Sequence, residues 1–193
     1  MSTSPRILAF AGSLRSDSFN KKLVRFAARA AEKKGADVTV IDLGELDLPI
    51  YDQDLEDKGG LPEGATKLKK LMKEHDALMI ASPEYNSSLS AALKNAIDWA
   101  SRPAGDSTPL EAFNGKVAGI MAASPGALGG LRGLFHLRSI LSNINVIVLP
   151  QMHAIPKAGD VFDDGGNITD DNHAKKITGI AEAPTETAGK LKA

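Results

Sequence analysis

A chain of 193 residues that is 42% hydrophobic and 24% charged is long enough to bury the core of one soluble domain. Its formal net charge of −1 supplies no basic field to draw it to nucleic acid or to an anionic membrane surface. Cysteine is absent, which excludes disulfides, thiolate nucleophiles and cysteine-ligated zinc or iron–sulfur centres. No apolar leader precedes Arg6 and no segment reaches the length of a membrane span, so a cytoplasmic location is the expectation.

Residues 6–11 form a short apolar run that reads as a buried parallel strand. Ser18 or Asn20 can cap a helix running to about Lys34, with Leu23, Val24, Ala27 and Ala30 on its apolar side and Gly35 as its stop. Residues 37–43 read as the second strand, and residues 48–52, broken by Pro49, as an extended surface loop. Helical periodicity covers residues 61–74, and the third strand follows at 77–81, where Pro83 keeps Ser82 extended. Residues 89–99 are helical again, and a loop rich in Pro, Gly and Ser spans 102–115. The fourth strand, 116–123, is halted by Pro125; a helix at 131–143 and a fifth strand at 145–149 complete the series. Beyond Pro150 a turn at 162–168 leads to a last helix, capped by Thr169 or Asp170. That helix is expected to fade at Pro184 and leave 184–193 as a frayed tail behind a single domain at 1–183.

Strands alternating with helices give an α/β fold, and five of them suit a flavodoxin-like three-layer sandwich with a five-stranded parallel sheet in the order 2-1-3-4-5. Strands 1, 3 and 4 are then neighbours. Their C-terminal ends carry three loops, at the edge where open α/β sheets bind ligands.

The first loop, residues 12–20, offers the hydroxyls of Ser13, Ser16 and Ser18, the Asn20 amide and the Arg15 guanidinium at a helix N-terminus. Free N–H groups and the helix dipole favour an anion there. The loop is neither G-x-x-x-x-G-K-[ST] nor G-x-G-x-x-G, which points to one phosphate monoester rather than a pyrophosphate. A Ser-rich helix entry with a surface arginine is the plainer reading. In residues 83–87, backbone N–H groups and the Asn86 amide suit the carbonyls and ring nitrogens of a planar heterocycle, and Tyr85 can cover a ring face; an ordinary strand-to-helix turn is the alternative. Residues 124–130 contain three glycines that allow close backbone approach to a ligand, or make a flexible loop. The four histidines show no metal-ligand spacing, and the aspartates at 160, 163, 164, 170 and 171 lack the EF-hand pattern. Ser124 is not in a G-x-S-x-G elbow. Glu84 and Asp98 are assigned no acid–base role.

Five motifs occur in order: G-S-L-R-x-x-S-F-N at 12–20, L-P-x-Y-D at 48–52, P-E-Y-N-x-S at 83–88, L-K-N-A-I-D-W at 93–99 and G-x-x-G-G-x-R at 126–132. Together they resemble the NAD(P)H-dependent FMN reductase family, especially its bacterial quinone and chromate reductase branch. The resemblance implies non-covalent FMN. Ser13, Arg15, Ser18, Phe19 and Asn20 would hold the phosphate and ribityl end, Pro83, Glu84, Tyr85 and Asn86 would line the isoalloxazine, and Ser124 and Gly126 would lie on its other edge. It implies no catalytic side chain. NADH or NADPH would reduce the flavin, and a quinone, or else chromate, an azo dye or a nitroaromatic, would be reduced in turn by ping-pong hydride transfer. A homodimer or homotetramer is implied, with the helix at 93–99 and Arg132 in contact between subunits. The tail at 183–193 departs from the family's continuous apolar helix. Two other readings stand beside this one: a flavodoxin-type electron carrier without direct NAD(P)H turnover, and a phosphate-binding regulatory module without redox chemistry.

Overall fold

A computed structural model describes residues 4–105 and 107–191. Five strands, β1 (Arg6–Ala11), β2 (Asp37–Asp42), β3 (Ala77–Ala81), β6 (Val117–Ala123) and β7 (Ile147–Ile155), form a parallel sheet in the order β2-β1-β3-β6-β7. This is the flavodoxin-like arrangement expected from the sequence. The three central strands are buried along nearly their whole length, while β2 at one edge alternates between partial burial and exposure.

Alternate residues of the central strands feed two cores. Ile7, Ala9, Met79 and Met121 meet α1 (Phe19–Lys33) and α6 (Asp171–Leu191) on one face. Leu8, Phe10, Ile80 and Ile120 meet α3 (Glu63–Glu74), α4 (Ala91–Ser101) and α5 (Leu131–Asn143) on the other. A short helix, α2 (Gln53–Gly59), was not apparent in the sequence; it buries no side chain and hangs from Glu56, which accepts hydrogen bonds from Arg102 Nε at 2.8 and 3.0 Å.

Two expectations fail at prolines. The fifth strand runs on past Pro150 to Ile155, with a four-residue step of β7 from Val148 to Met152 set against the two-residue step from Ala118 to Ile120. β7 is an edge strand, where a missing N–H is tolerated at a bulge. Arg138 takes the carbonyls of Val148, Leu149 and Pro150 there at 2.7–3.2 Å. The last helix likewise passes through Pro184 to Leu191 instead of fading. Gly119 of β6 makes room for it: a Cβ there would lie 2.9 Å from Pro184 Cγ and 3.0 Å from the Ile180 carbonyl that the proline leaves without its donor. Burial of Ile180, Ala181, Pro184 and Ala188 and the Lys34–Glu186 ion pair (2.7 Å) hold the helix against α1 and the sheet.

Candidate functional site

The C-terminal ends of β1, β3 and β6 lie side by side, so the three loops converge as the strand order requires. Cross-links join them in pairs. Gly12 N–H donates to the Ala81 carbonyl at 2.9 Å, and the Ser90 hydroxyl, which caps α4 by accepting from Leu93 N–H, also donates to the Gly12 carbonyl. Asn20 spans from α1 to the end of β6, its Nδ2 donating to the Ala123 carbonyl at 2.9 Å and its Oδ1 accepting from Ala123 N–H at 3.0 Å. Its carboxamide thus ties the first loop to the end of β6, with one Nδ2 proton and the Oδ1 used inside the protein.

In that loop, Ser18 is the N-cap of α1, its Oγ accepting from Lys21 N–H at 3.4 Å. The first turn of α1 holds no acidic residue, and Asp17 just before it is paired with Lys22 at 2.9 Å. Arg15 is exposed and makes no hydrogen bond or ion pair among the described residues. Ser13 is only 3% exposed, yet its hydroxyl has no partner among them. Helix geometry leaves the N–H groups of Phe19 and Asn20 without intrahelical acceptors. This donor set of free N–H groups, hydroxyls and a guanidinium that makes no hydrogen bond or ion pair fits a phosphate monoester; Asp17, the carboxylate that feels the Arg15 charge, is paired with Lys22. Phe19 instead packs on the protein, stacked at 6.0 Å on Phe162.

The second loop is a miniature hairpin that the sequence reading took for a plain turn. β4 (Glu84–Tyr85) pairs antiparallel with β5 (Ser88–Leu89) around Asn86 and Ser87, both at positive φ (50° and 68°). Two left-handed residues between paired strands match a type I′ turn, which Asn favours and Ser adopts only under strain. Pro83 is buried, while Tyr85 at 51% exposure and Asn86 stand out at the rim.

Glu84 latches the hairpin to the third loop. Its carboxylate accepts from Arg132 Nε at 2.8 Å and from Gly133 N–H, in the first turn of α5, at 3.1 Å. Burial pushes the Glu84 carboxyl up, but the Gly133 N–H and the Arg132 guanidinium outweigh it and hold the group below the usual glutamate range. A depressed folded pKa stabilises above the unfolded value, about 4.3, and that stabilisation disappears as pH falls through the folded pKa. The melting-temperature gap between the wild type and Glu84→Gln is accordingly expected to stay constant from about pH 7 to 5 and to close in stronger acid. A gap that persists at low pH would contradict this assignment.

In the third loop, the Ser124 Oγ accepts from Gly126 N–H at 3.2 Å, and Gly126 faces open space, with only Ser124 Oγ within 4 Å of a Cβ placed there. The other two glycines serve packing. Gly129 and Gly130 have positive φ, and added Cβ atoms would lie 2.5 Å from the Ile155 carbonyl carbon and 2.8 Å from Ala122 Cβ.

The remaining motifs fit together one layer out. Asn95 donates to the Pro49 carbonyl and accepts from Tyr51 N–H, both at 2.8 Å, and Trp99 Nε1 donates to the same carbonyl at 2.7 Å. The L-P-x-Y-D loop is thus clamped by the L-K-N-A-I-D-W helix. Leu93, Ala96, Ile97 and Trp99 are consumed inside the subunit, which leaves Ala91, Ala92, Lys94 and Asp98 on the outer face of α4. Ser88 bonds His136 (3.0 Å), His153 bonds His173 (2.8 Å), and no group of three metal-ligating side chains occurs among the described residues.

Residues 5–160 match the sequence profile of the NADPH-dependent FMN reductase family. The chain belongs to that family. This FMN reductase homologue is 36% identical over 178 residues to an NAD(P)H-dependent FMN reductase of Pseudomonas aeruginosa, covering 92% of this chain and 91% of the relative. It is 36% identical over 173 residues to a 2-hydroxy-1,4-benzoquinone reductase of a Burkholderia species, covering 89% and 90%. Its fold matches the Paracoccus denitrificans flavoenzyme NAD(P)H:(acceptor) oxidoreductase FerB with a TM-score of 0.78 at 30% identity, over 96% of this chain and 98% of that one.

Proposed function

We propose that this member of the FMN reductase family is an NAD(P)H-dependent FMN oxidoreductase that reduces quinones. The observation that carries the reading is the convergence of an uncommitted phosphate-binding donor set at the first loop with an open backbone rim at the second and third. Ser13, Arg15 and Ser18 with the first-turn N–H groups of α1 hold the phosphate. Pro83, Glu84, Tyr85 and Asn86 supply backbone and ring surface along the flavin, and Ser124 and Gly126 border its other edge. The Phe19 and Asn20 side chains contribute by packing and by the clamp on Ala123, while their backbone N–H groups belong to the donor set around the phosphate.

When bound, FMN supplies a two-electron carrier that accepts hydride from a nicotinamide and passes it on. The protein's part is placement. The Glu84–Arg132 latch fixes the hairpin, and Tyr85 at its rim would border the space that donor and acceptor occupy in turn. No carboxylate at the rim is left as a general acid or base: Glu84 is held by Arg132 and Gly133, and Asp98 by Lys94 at 2.8 Å. Chromate, azo dyes and nitroaromatics extend the acceptor range through the same chemistry. Self-association into dimers or tetramers, a cytoplasmic location and a single domain that includes α6 through Leu191 belong to the same proposal. No described helix is long and apolar enough to cross a membrane.

Steady-state oxidation of NADH or NADPH that depends on added benzoquinone tests the reading. Quinone-dependent turnover is expected. Flavin-loaded protein that does not oxidise either nucleotide would instead be an electron carrier.

A further inference from the structure

Two carboxylates flank the first loop, and two consecutive lysines of α1 answer them. Asp17, just before the Ser18 cap, pairs with Lys22 at 2.9 Å, and Asp42, the last residue of β2, pairs with Lys21 at 2.6 Å. Asp42 stands opposite Ala11 in the β1–β2 register, beside the residue from which the loop departs. The two pairs differ in solvation. The Asp17 side chain is 78% exposed, so water and salt screen its charge. The Lys21 and Asp42 side chains are only 9% and 28% exposed, and charges so placed are screened much less.

Asp42 has a local duty that needs an acceptor but not a charge. Its Oδ1 accepts from Gly44 N–H at 2.9 Å and caps the short 3-10 turn Leu43–Leu46. That turn borders Leu14 of the first loop, since a Cβ placed at Gly44 would lie 3.9 Å from Leu14 Cδ2. Burial pushes the Asp42 carboxyl up, but Lys21 and the Gly44 N–H outweigh it, and the group is ionised at neutral pH. The cap therefore brings a negative charge to the edge of a site built for an anion. Lys21 meets that charge from the first turn of α1, where its own N–H donates to Ser18 Oγ. Desolvation offsets much of the attraction in such a pair, so stability alone is a weak reason for it.

We infer that Lys21 determines specificity without touching the flavin: by cancelling the carboxylate that caps the 3-10 turn, it keeps the first loop selective for a phosphate group. The inference rests on the reading of the three loops as an FMN site. With Asp17 and Asp42 both paired, Arg15 is left as the net charge that faces the ligand. Without Lys21, the phosphate dianion would meet the field of a poorly screened carboxylate. Without the charge on Asp42, a second cation would support Arg15. Arg25, one turn further along α1, also attracts Asp42 but forms no ion pair with it among the described residues, so it does not take the place of Lys21.

The ratio of the riboflavin to the FMN dissociation constant, measured by flavin fluorescence at about pH 8 where an unpaired carboxylate stays ionised, tests it. Ring and ribityl contacts are common to both ligands, so a general distortion of the site cancels in the ratio and a changed field at the phosphate does not. Lys21→Met is expected to lower the ratio about three- to tenfold, the scale of one partly screened unit charge. Asp42→Asn keeps an acceptor for Gly44 N–H and for Lys21, and should raise the ratio by a similar factor. The double variant should return it to within about twofold of the wild type, and Lys22→Met should leave it there. A ratio that is unchanged or lowered in Asp42→Asn, or that responds equally to Lys22→Met and Lys21→Met, overturns the inference. If Lys21→Met does not fold, the Asp42→Asn result decides. Wild-type protein that binds no flavin defeats the FMN reading instead; the pair is then scored by the rise in melting temperature that inorganic phosphate produces, which Asp42→Asn must enlarge.

Discussion

Arg15→Ala is expected to weaken FMN binding by about 10- to 150-fold, corresponding to about 1.5–3 kcal/mol for a charge-assisted hydrogen-bonding group. The arginine is exposed, makes no ion pair or hydrogen bond among the described residues, and the helix behind it carries no acidic side chain in its first turn. Its loss removes attraction for a phosphate dianion and little else, so the melting temperature of the flavin-free protein should hardly change. Arg15→Lys should recover only part of the affinity, because an ammonium keeps the charge but cannot form the bidentate fork. Fluorescence titration with FMN checks both variants, and wild-type affinity in Arg15→Ala would remove this residue from the site.

Asn20→Ala should act through the fold instead. The Ala123 N–H and carbonyl that Asn20 satisfies lie at a position only 3% exposed, and both would be left without their partner. Each unmade buried hydrogen bond costs about 1–3 kcal/mol, so a loss of about 2–6 kcal/mol is expected. For a chain of this size that corresponds to a melting temperature lower by roughly 5–20 °C. Asn20→Asp should fare little better, since it keeps the acceptor for the Ala123 N–H but places a carboxylate oxygen against the Ala123 carbonyl. Flavin affinity falls in both variants because the first loop loses its anchor to the third. A stable Asn20→Ala protein with intact thermal unfolding would refute the clamp.

The contrast between these residues shows what was legible in the sequence. Periodicity marked five strands alternating with helices, their number suited the flavodoxin-like order, and that order brought the three loops together. Residue type made Ser18 a cap, as found, and Arg15 a phosphate candidate, because a capping hydroxyl and a guanidinium are read locally. It did not reveal that the Asn20 amide also ties the first loop to the third, because its partner lies 103 residues away. The Glu84–Arg132 latch, separated by 48 residues, was hidden for the same reason. The hairpin at Asn86–Ser87 escaped because each strand has only two residues, too few for a period-two pattern, and because serine rarely occupies the left-handed second position.

Pro150 and Pro184 misled in a different way. Both break a local rule, and both are tolerated because of something distant: the carbonyls around Pro150 find Arg138, and the ring of Pro184 finds the space left by Gly119. Gly129 and Gly130 belong with them. Their roles are packing against β7 and β6, which no loop composition reveals.

The central claim is that the three strand-end loops form one site for a flavin mononucleotide, gripped at its phosphate. Parallel titrations of the flavin-free protein with FMN and with riboflavin, followed by flavin fluorescence, test this most directly. One FMN per chain is predicted, bound at least tenfold more tightly than riboflavin, with most of that advantage lost in Arg15→Ala. Equal affinity for FMN and riboflavin, or binding of neither, would contradict the account.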